Sequence, residues 1–193
     1  YDFRPAYLNI ADIRQLLPDV SVLALTATAT PIVAEDIMDK LHFAKKNILK
    51  KSFERPNLVY LVRVVEDKLK YLHKIVKRSN GCGIVYARNR KSTREISAFL
   101  NRLNYKTDYY HAGLGQDMRE AKERSWKSGK TEIIVATNAF GMGIDKADVR
   151  FVVHMDTPDS LESYFQEAGR GGRDGKTARL SFGLGNRTFS TLN

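Results

Sequence analysis

Two rhythms of apolar residues alternate along the chain. Tyr7, Ile10, Ile13, Leu16 and Leu17 recur at the three- and four-residue spacing of a helix face. The continuous run Val20–Leu25 reads instead as a buried strand. Thr30 followed by Pro31 supplies a capping hydroxyl and a first helical residue with a preset φ, predicting a helix toward Leu41. After Pro56 the alternation becomes regular. A strand over Leu58–Val65 precedes a helix with Leu69, Leu72, Ile75 and Val76 on one face. A strand at Gly83–Tyr86 precedes a helix marked by Ile96, Phe99, Leu100 and Leu103. Tyr109 and Tyr110 lie in a short strand, and Met118, Ala121, Ser125 and Trp126 line the next helix. Strands at Glu132–Ala136 and Phe151–Met155, a helix from Ser160 to Ala168 and a last strand at Ala178–Phe182 complete the pattern.

Strands this apolar, each followed by an amphipathic helix, predict an α/β fold: a mostly parallel sheet with helices on both faces. In such sheets working residues gather on loops beyond the strand carboxyl ends, here near Thr26, Ala87, His111, Thr137 and Asp156. The segment Ser52–Asn57 is the expected linker, because Pro56 restricts Arg55 to extended conformations. Residues 1–54 hold two helices and one strand, too few for a domain; residues 55–193 read as a complete one.

Composition narrows the partner. With 42% hydrophobic residues in 193, the chain can bury a core, and its net charge of +10 points to a polyanion. Nucleic acid fits better than an anionic membrane, since no basic amphipathic helix dominates. One cysteine, Cys82, excludes an internal disulfide and a cysteine-rich zinc site, and four histidines (His42, His73, His111, His154) lack metal-ligand spacing, so no metal site is expected. No apolar run approaches the roughly 20 residues of a membrane span and no signal peptide is visible, so a cytoplasmic, membrane-free protein is expected. The chain opens at Tyr1 without a methionine and reads as a piece of a longer protein.

The most informative segment is Gln166-Glu167-Ala168-Gly169-Arg170-Gly171-Gly172-Arg173-Asp174-Gly175. Two arginines three residues apart, set among glycines, can grip phosphate oxygens or neutralise charge on a transferred phosphoryl group. The same residues also suit a helix closed by a glycine cap with cations at its negative end, or a glycine-arginine contact to nucleic acid without catalysis. Thr26, Thr28 and Thr30 place hydroxyls at alternate positions after the first strand, able to meet phosphates or simply to form a turn. Tyr86–Thr93 leaves a strand and enters a helix, bringing Arg88, Asn89, Arg90, Lys91, Ser92 and Thr93 to a helix start that favours anions. His111 ends another strand with no nucleophile beside it and reads as positioning. In Thr137–Asp145, Gly141 and Gly143 flank Met142 as in a tight loop against a ligand, and Asp145 can accept from a ribose hydroxyl. There is no GxxxxGK[ST] phosphate loop and no acidic magnesium motif ahead of Thr26.

In order and spacing these segments resemble the second half of a RecQ-family DNA helicase motor, over nearly the whole chain. Asp2-Phe3-Arg4-Pro5 resembles the stretch after the family's acidic motif, Ala24–Ala29 its motif III, Ser52–Asn57 the junction between domains, Gly83–Arg90 motif IV, Ala136–Asp145 motif V and Gln166–Gly175 motif VI. Gln166 with Arg173-Asp174-Gly175 resembles RecQ more than the RNA helicases of the superfamily. The resemblance implies a RecA-like domain, preceded in residues 1–54 by the tail of a first such domain of the same protein. ATP would lie in the cleft between them, with Mg2+ held mainly by that first domain and single-stranded or duplex DNA running across both. It further implies that Arg170 and Arg173 are arginine fingers and that Gln166 senses the nucleotide. Asp145 and Gly143 would lie on the ATP side, while Thr26, Thr28, Arg88, Asn89, Ser92, His111, Thr137 and Gly141 would face DNA. The motor would move 3′ to 5′. Gly171 stands where the family commonly has alanine, and residues 184–193 follow no family pattern. The family's zinc, winged-helix and HRDC modules are not in this sequence. A non-catalytic single-strand-binding α/β module and an RNA helicase half are the competing readings.

Overall fold

The structure is a computed structural model that describes residues 9–26, 29–50, 52, 54–79, 81–141 and 144–184. The chain divides into two compact units, Tyr1–Glu54 and Arg55–Asn193.

In the first unit, helix α1 spans Ile10–Leu16 and α2 spans Pro31–Lys40. Thr30 caps α2 as its sequence requires: its side chain accepts from the Val33 amide at 3.3 Å, with Pro31 in the first turn. Ala11, Met38 and Leu41 are buried, and Arg14 reaches the Leu41 carbonyl at 3.3 Å with its guanidinium over the Phe43 ring. The expected strand at Val20–Leu25 is not formed. The segment belongs to no ladder, and Leu23 and Leu25 are 77% and 85% exposed. A strand exists only where a neighbour takes its backbone donors and acceptors, and no strand is present among the described residues of this unit.

The second unit contains every strand described. In chain order these are β1 (Leu58–Val64), α3 (Lys68–Arg78), β2 (Cys82–Tyr86), α4 (Arg90–Arg102), β3 (Thr107–Tyr110), α5 (Gln116–Lys127), β4 (Ile133–Ala136), β5 (Val149–His154), α6 (Leu161–Ala168) and β6 (Ala178–Leu184). They form a six-stranded sheet in the order β1-β6-β5-β2-β4-β3. Every pairing is parallel, with Tyr86 opposite Ala136 and His154 at the aligned ends of β2, β4 and β5.

Each face of the sheet has its own core. Leu72 and Val76 of α3 and Ile96 and Leu100 of α4 pack with Val85, Val135, Phe151 and Val153. On the other face Trp126, Phe140, Ile144 and Ala168 pack with Ile84, Tyr86, Ile134 and Leu180. Burying each large side chain of this kind is worth about 1.5–3 kcal/mol. The outer end of the Phe151 ring closes on β2 because position 83 is glycine: a Cβ there would fall 2.0 Å from Cζ. The helices start where polar side chains cap them. Asp67 accepts from Leu69 and Lys70, Asn89 from Ser92, and Ser160 from Ser163. Those backbone donors, Lys70's first, hold the Asp67 carboxyl below its ordinary pKa.

Candidate functional site

Parallel strands deliver their carboxyl ends to one edge of the sheet, and the loops there carry most of the residues singled out in the second unit. A cleft at the ends of β2 and β5 is lined by Tyr86, Arg88, Asn138, His154 and Asp156. The Arg88 amide donates to Asp156 Oδ2 at 3.0 Å, leaving the Arg88 side chain exposed. Asn89 caps α4, its Oδ1 accepting from the Ser92 amide at 2.8 Å. Arg88, Asn89 and Ser92 are thus brought together at a helix start with Arg90 and Lys91, a disposition suited to phosphate oxygens.

His111 requires a correction. Its ring is 1% exposed, so it does not meet a strand directly. Nε2 lies 3.4 Å from the Arg94 guanidinium, and the ring tilts against Tyr109, over which Arg94 and Lys122 also sit. Burial first, then the Arg94 and Arg90 charges, hold its pKa below the ordinary 6.5. Neutral His111 therefore supports the arginines that are exposed. Arg90 lies across Gly113, where a Cβ would come within 2.5 Å of Nη1.

A second group lies in the loop after α6, whose backbone meets the residues that open β5 and β1. Gly172 has φ +54, a conformation that glycine adopts at no steric cost, and its amide donates to the Val149 carbonyl at 2.8 Å. Arg170 Nη1 donates to the Ile144 carbonyl at 3.2 Å. Its guanidinium packs on Gly141, where a Cβ would stand 2.1 Å from Nη2. Gly141 therefore sits on the arginine side of the site and not beside the Arg88 group. Arg173 Nη1 donates to Asp145 Oδ1 at 2.6 Å. Gln166 is exposed on α6, one turn before Arg170, and Thr137 is nearly buried with its amide on the Tyr110 carbonyl. Thr26 lies in the exposed extended segment of the first unit. Thr28 and Gly143 fall outside the described residues.

Arg170 Nε is buried without a hydrogen-bond partner among the described residues, and the Tyr86 hydroxyl, beside that guanidinium, donates to the Phe140 carbonyl at 3.1 Å. Burial raises the Tyr86 pKa, which keeps the hydroxyl protonated as a donor. No group of three or more His, Cys, Asp or Glu among the described residues could hold a metal ion, and no helix there is long and apolar enough to cross a membrane.

Three supports were not singled out from the sequence. His154, stacked on Tyr86, meets Glu167 Oε2 at 2.7 Å and so ties β5 to α6. Arg150 pairs with Asp174 and reaches the Asp148 and Thr177 carbonyls. Arg55 and Asn57, read only as linker, grip the arginine loop. The histidine-carboxylate pair had a signal, a histidine at a strand end and an acid inside the next helix; the other two join residues whose proximity only the closed sheet creates.

The helicase conserved C-terminal domain matches residues 67–175, and the chain belongs to that family. Within it the chain is of the RecQ kind. It is 45% identical over 183 residues to the ATP-dependent DNA helicase hus2/rqh1 of Schizosaccharomyces pombe, covering 92% of this chain and 14% of that protein. It is 42% identical over 177 residues to the ATP-dependent DNA helicase RecQ of Bacillus subtilis, covering 91% and 30%. The chain thus spans less than a third of the length of either relative. Dbp5 of Saccharomyces cerevisiae shares the fold, with a TM-score of 0.79 at 19% identity over 96% of this chain and 49% of that one.

Proposed function

We propose that this chain is the C-terminal part of the motor of an ATP-dependent DNA helicase that moves 3′ to 5′ along single strands and separates duplexes. Residues 55–193 are its second RecA-like domain, and residues 1–54 are the tail of the first. The observation that carries this is the meeting of the loop after α6 with the segment that leads from β4 into β5. Arg170 and Arg173 come from one and Asp145 from the other, so two cations stand beside a carboxylate.

ATP is the substrate, and Mg2+ is held mainly by the partner domain, which supplies the phosphate loop. Arg170 and Arg173 enter the cleft on domain closure and stabilise charge on the transferred phosphoryl group. Gln166 senses the nucleotide state. Arg88, Asn89 and Ser92 hold the DNA backbone, with Thr137 behind them.

The test joins the chain to a phosphate-loop domain and measures steady-state ATP turnover with and without single-stranded DNA. Turnover stimulated by DNA and reduced roughly 10³-fold or more in Arg173→Ala, with nucleotide binding retained, supports the reading. Strand displacement from duplexes with 3′ but not 5′ tails supports the polarity, and DNA against RNA tails separates the two helicase classes. Absence of DNA-stimulated turnover leaves a nucleic-acid-binding module. The chain by itself, lacking GxxxxGK[ST], is expected to show no turnover.

A further inference from the structure

We infer that Arg55 and Asn57 are positioning residues for the loop that carries Arg170 and Arg173. Arg55 Nη2 donates to the Gly171 carbonyl at 3.0 Å and to the Gly172 carbonyl at 2.9 Å. Its Nε donates to Asn57 Oδ1 at 3.3 Å, which fixes the Asn57 amide so that Nδ2 donates to the Gly172 carbonyl at 2.7 Å and the Lys176 carbonyl at 2.9 Å. The Asn57 carbonyl in turn accepts from the Ala178 amide at 2.9 Å. Three loop carbonyls are therefore captured from outside, and Arg173 lies between the second and the third.

The anchor adds to ties that the loop has elsewhere, the Gly172 amide on Val149, the Asp174 amide on Ala147 and the Arg150–Asp174 pair. Its run of glycines loses much backbone freedom on ordering, and the Arg173 side chain is placed by an exposed ion pair and a long 3.5 Å bond to the Gly169 carbonyl. Position 172 is built around the anchor. A Cβ there would lie 2.6 Å from Asn57 Nδ2 and 2.5 Å from the Lys176 carbonyl oxygen. A lysine at position 55 would keep the charge but lose the planar fork that reaches two carbonyls and Asn57 together. Pro56, with no N–H and a fixed φ, holds the two donors on either side of one turn.

The role rests on the reading of Arg170 and Arg173 as groups directed at the transferred phosphate. It is tested in a polypeptide joining this chain to a phosphate-loop domain, carrying Arg55→Lys, Asn57→Asp, Arg173→Ala, or Arg55→Lys with Arg173→Ala. In Arg55→Lys the kcat of DNA-stimulated turnover falls about 10- to 100-fold while the KM for ATP and the Kd for single-stranded DNA stay within about twofold. The double variant falls by less than the product of the two single losses, because Arg55 acts through the loop that carries Arg173. Amide hydrogen exchange quickens at residues 171–176 and not across the sheet, in Arg55→Lys and in Asn57→Asp. An unchanged kcat, losses that multiply in the double variant, or exchange quickened throughout the unit overturns the inference. If the wild-type polypeptide shows no DNA-stimulated turnover, the helicase reading fails, and the exchange measurement still decides whether the anchor sets the loop.

Discussion

Arg173 donates through Nη1 to Asp145 Oδ1 at 2.6 Å, so the loop after α6 is tied to the segment after β4 by an ion pair. On the proposed reading, a phosphate that draws Arg173 away competes with this carboxylate, and a ribose bound at Asp145 loosens the pair, so the two contacts would assist each other.

The pair is cheap to break. Its side chains are 39% and 79% exposed, where such pairs contribute about 0–1 kcal/mol. Asp145→Ala should move the urea midpoint by less than about 1 kcal/mol equivalent. It should raise the KM for ATP roughly 3- to 10-fold through one lost hydrogen bond. A ribose-modified ATP lacking the hydroxyl should erase the difference between wild type and variant; a difference that persists would assign Asp145 to another group.

Two glycines should answer differently to an added methyl. At Gly141 it meets the Arg170 guanidinium at 2.1–2.9 Å on a backbone of φ +156°, which L side chains rarely adopt. Gly141→Ala should therefore displace Arg170, lowering DNA-stimulated turnover at least about tenfold, and should also cost about 1–3 kcal/mol of stability. At Gly83 the methyl meets the fully buried Phe151 ring at 2.0–2.4 Å, so Gly83→Ala should cost about 1–3 kcal/mol in denaturant unfolding.

Stability should weaken in mild acid through His111. Its folded pKa lies below 6.5 because burial, then Arg94 and Arg90, oppose the imidazolium. The unfolded chain therefore takes up the proton first as pH falls through about 6.5, and stability present above that value is lost toward the folded pKa. Urea midpoints at about pH 7 and about pH 5 should differ in the wild type and converge in His111→Gln. Equal slopes in both proteins would place the effect elsewhere.

Cys82 should be silent toward thiol reagents. It is buried, and burial pushes its pKa up to about 12, so almost no thiolate exists near neutrality. Reaction with a disulfide reagent should require unfolding, which makes the thiol a built-in reporter; fast labelling of the native protein would show a local opening of β2.

The alternation of strand and helix was legible because the sheet is buried on both faces, so each central strand is a short continuous apolar run. Edges were harder to read. β3 begins at Thr107, two residues before the aromatic pair, since its start is polar and only half covered. Val20–Leu25 has the composition of a strand, but composition cannot supply a neighbour. Arg170 and Arg173 stood out by their glycine setting, and the structure puts both in one loop against Ile144 and Asp145. Arg55 did not, because its partner Gly171 is 116 residues away and the adjacent proline offered a sufficient reading as linker. His111, read from its strand-end place as positioning, is buried beside Arg94, while the resemblance had it face DNA.

The order of the sheet has a bearing on how the polypeptide is made. β1 is the first strand of the unit to leave the ribosome and lies at the sheet's edge, where its sole described neighbour, β6, is the last to be synthesised. Until Ala178–Leu184 arrives, Tyr60, Val62 and Val64 have no ladder to join. The nascent unit thus carries an open, sticky border through most of its translation, which invites chaperone capture and makes slow or paused synthesis hazardous near its end.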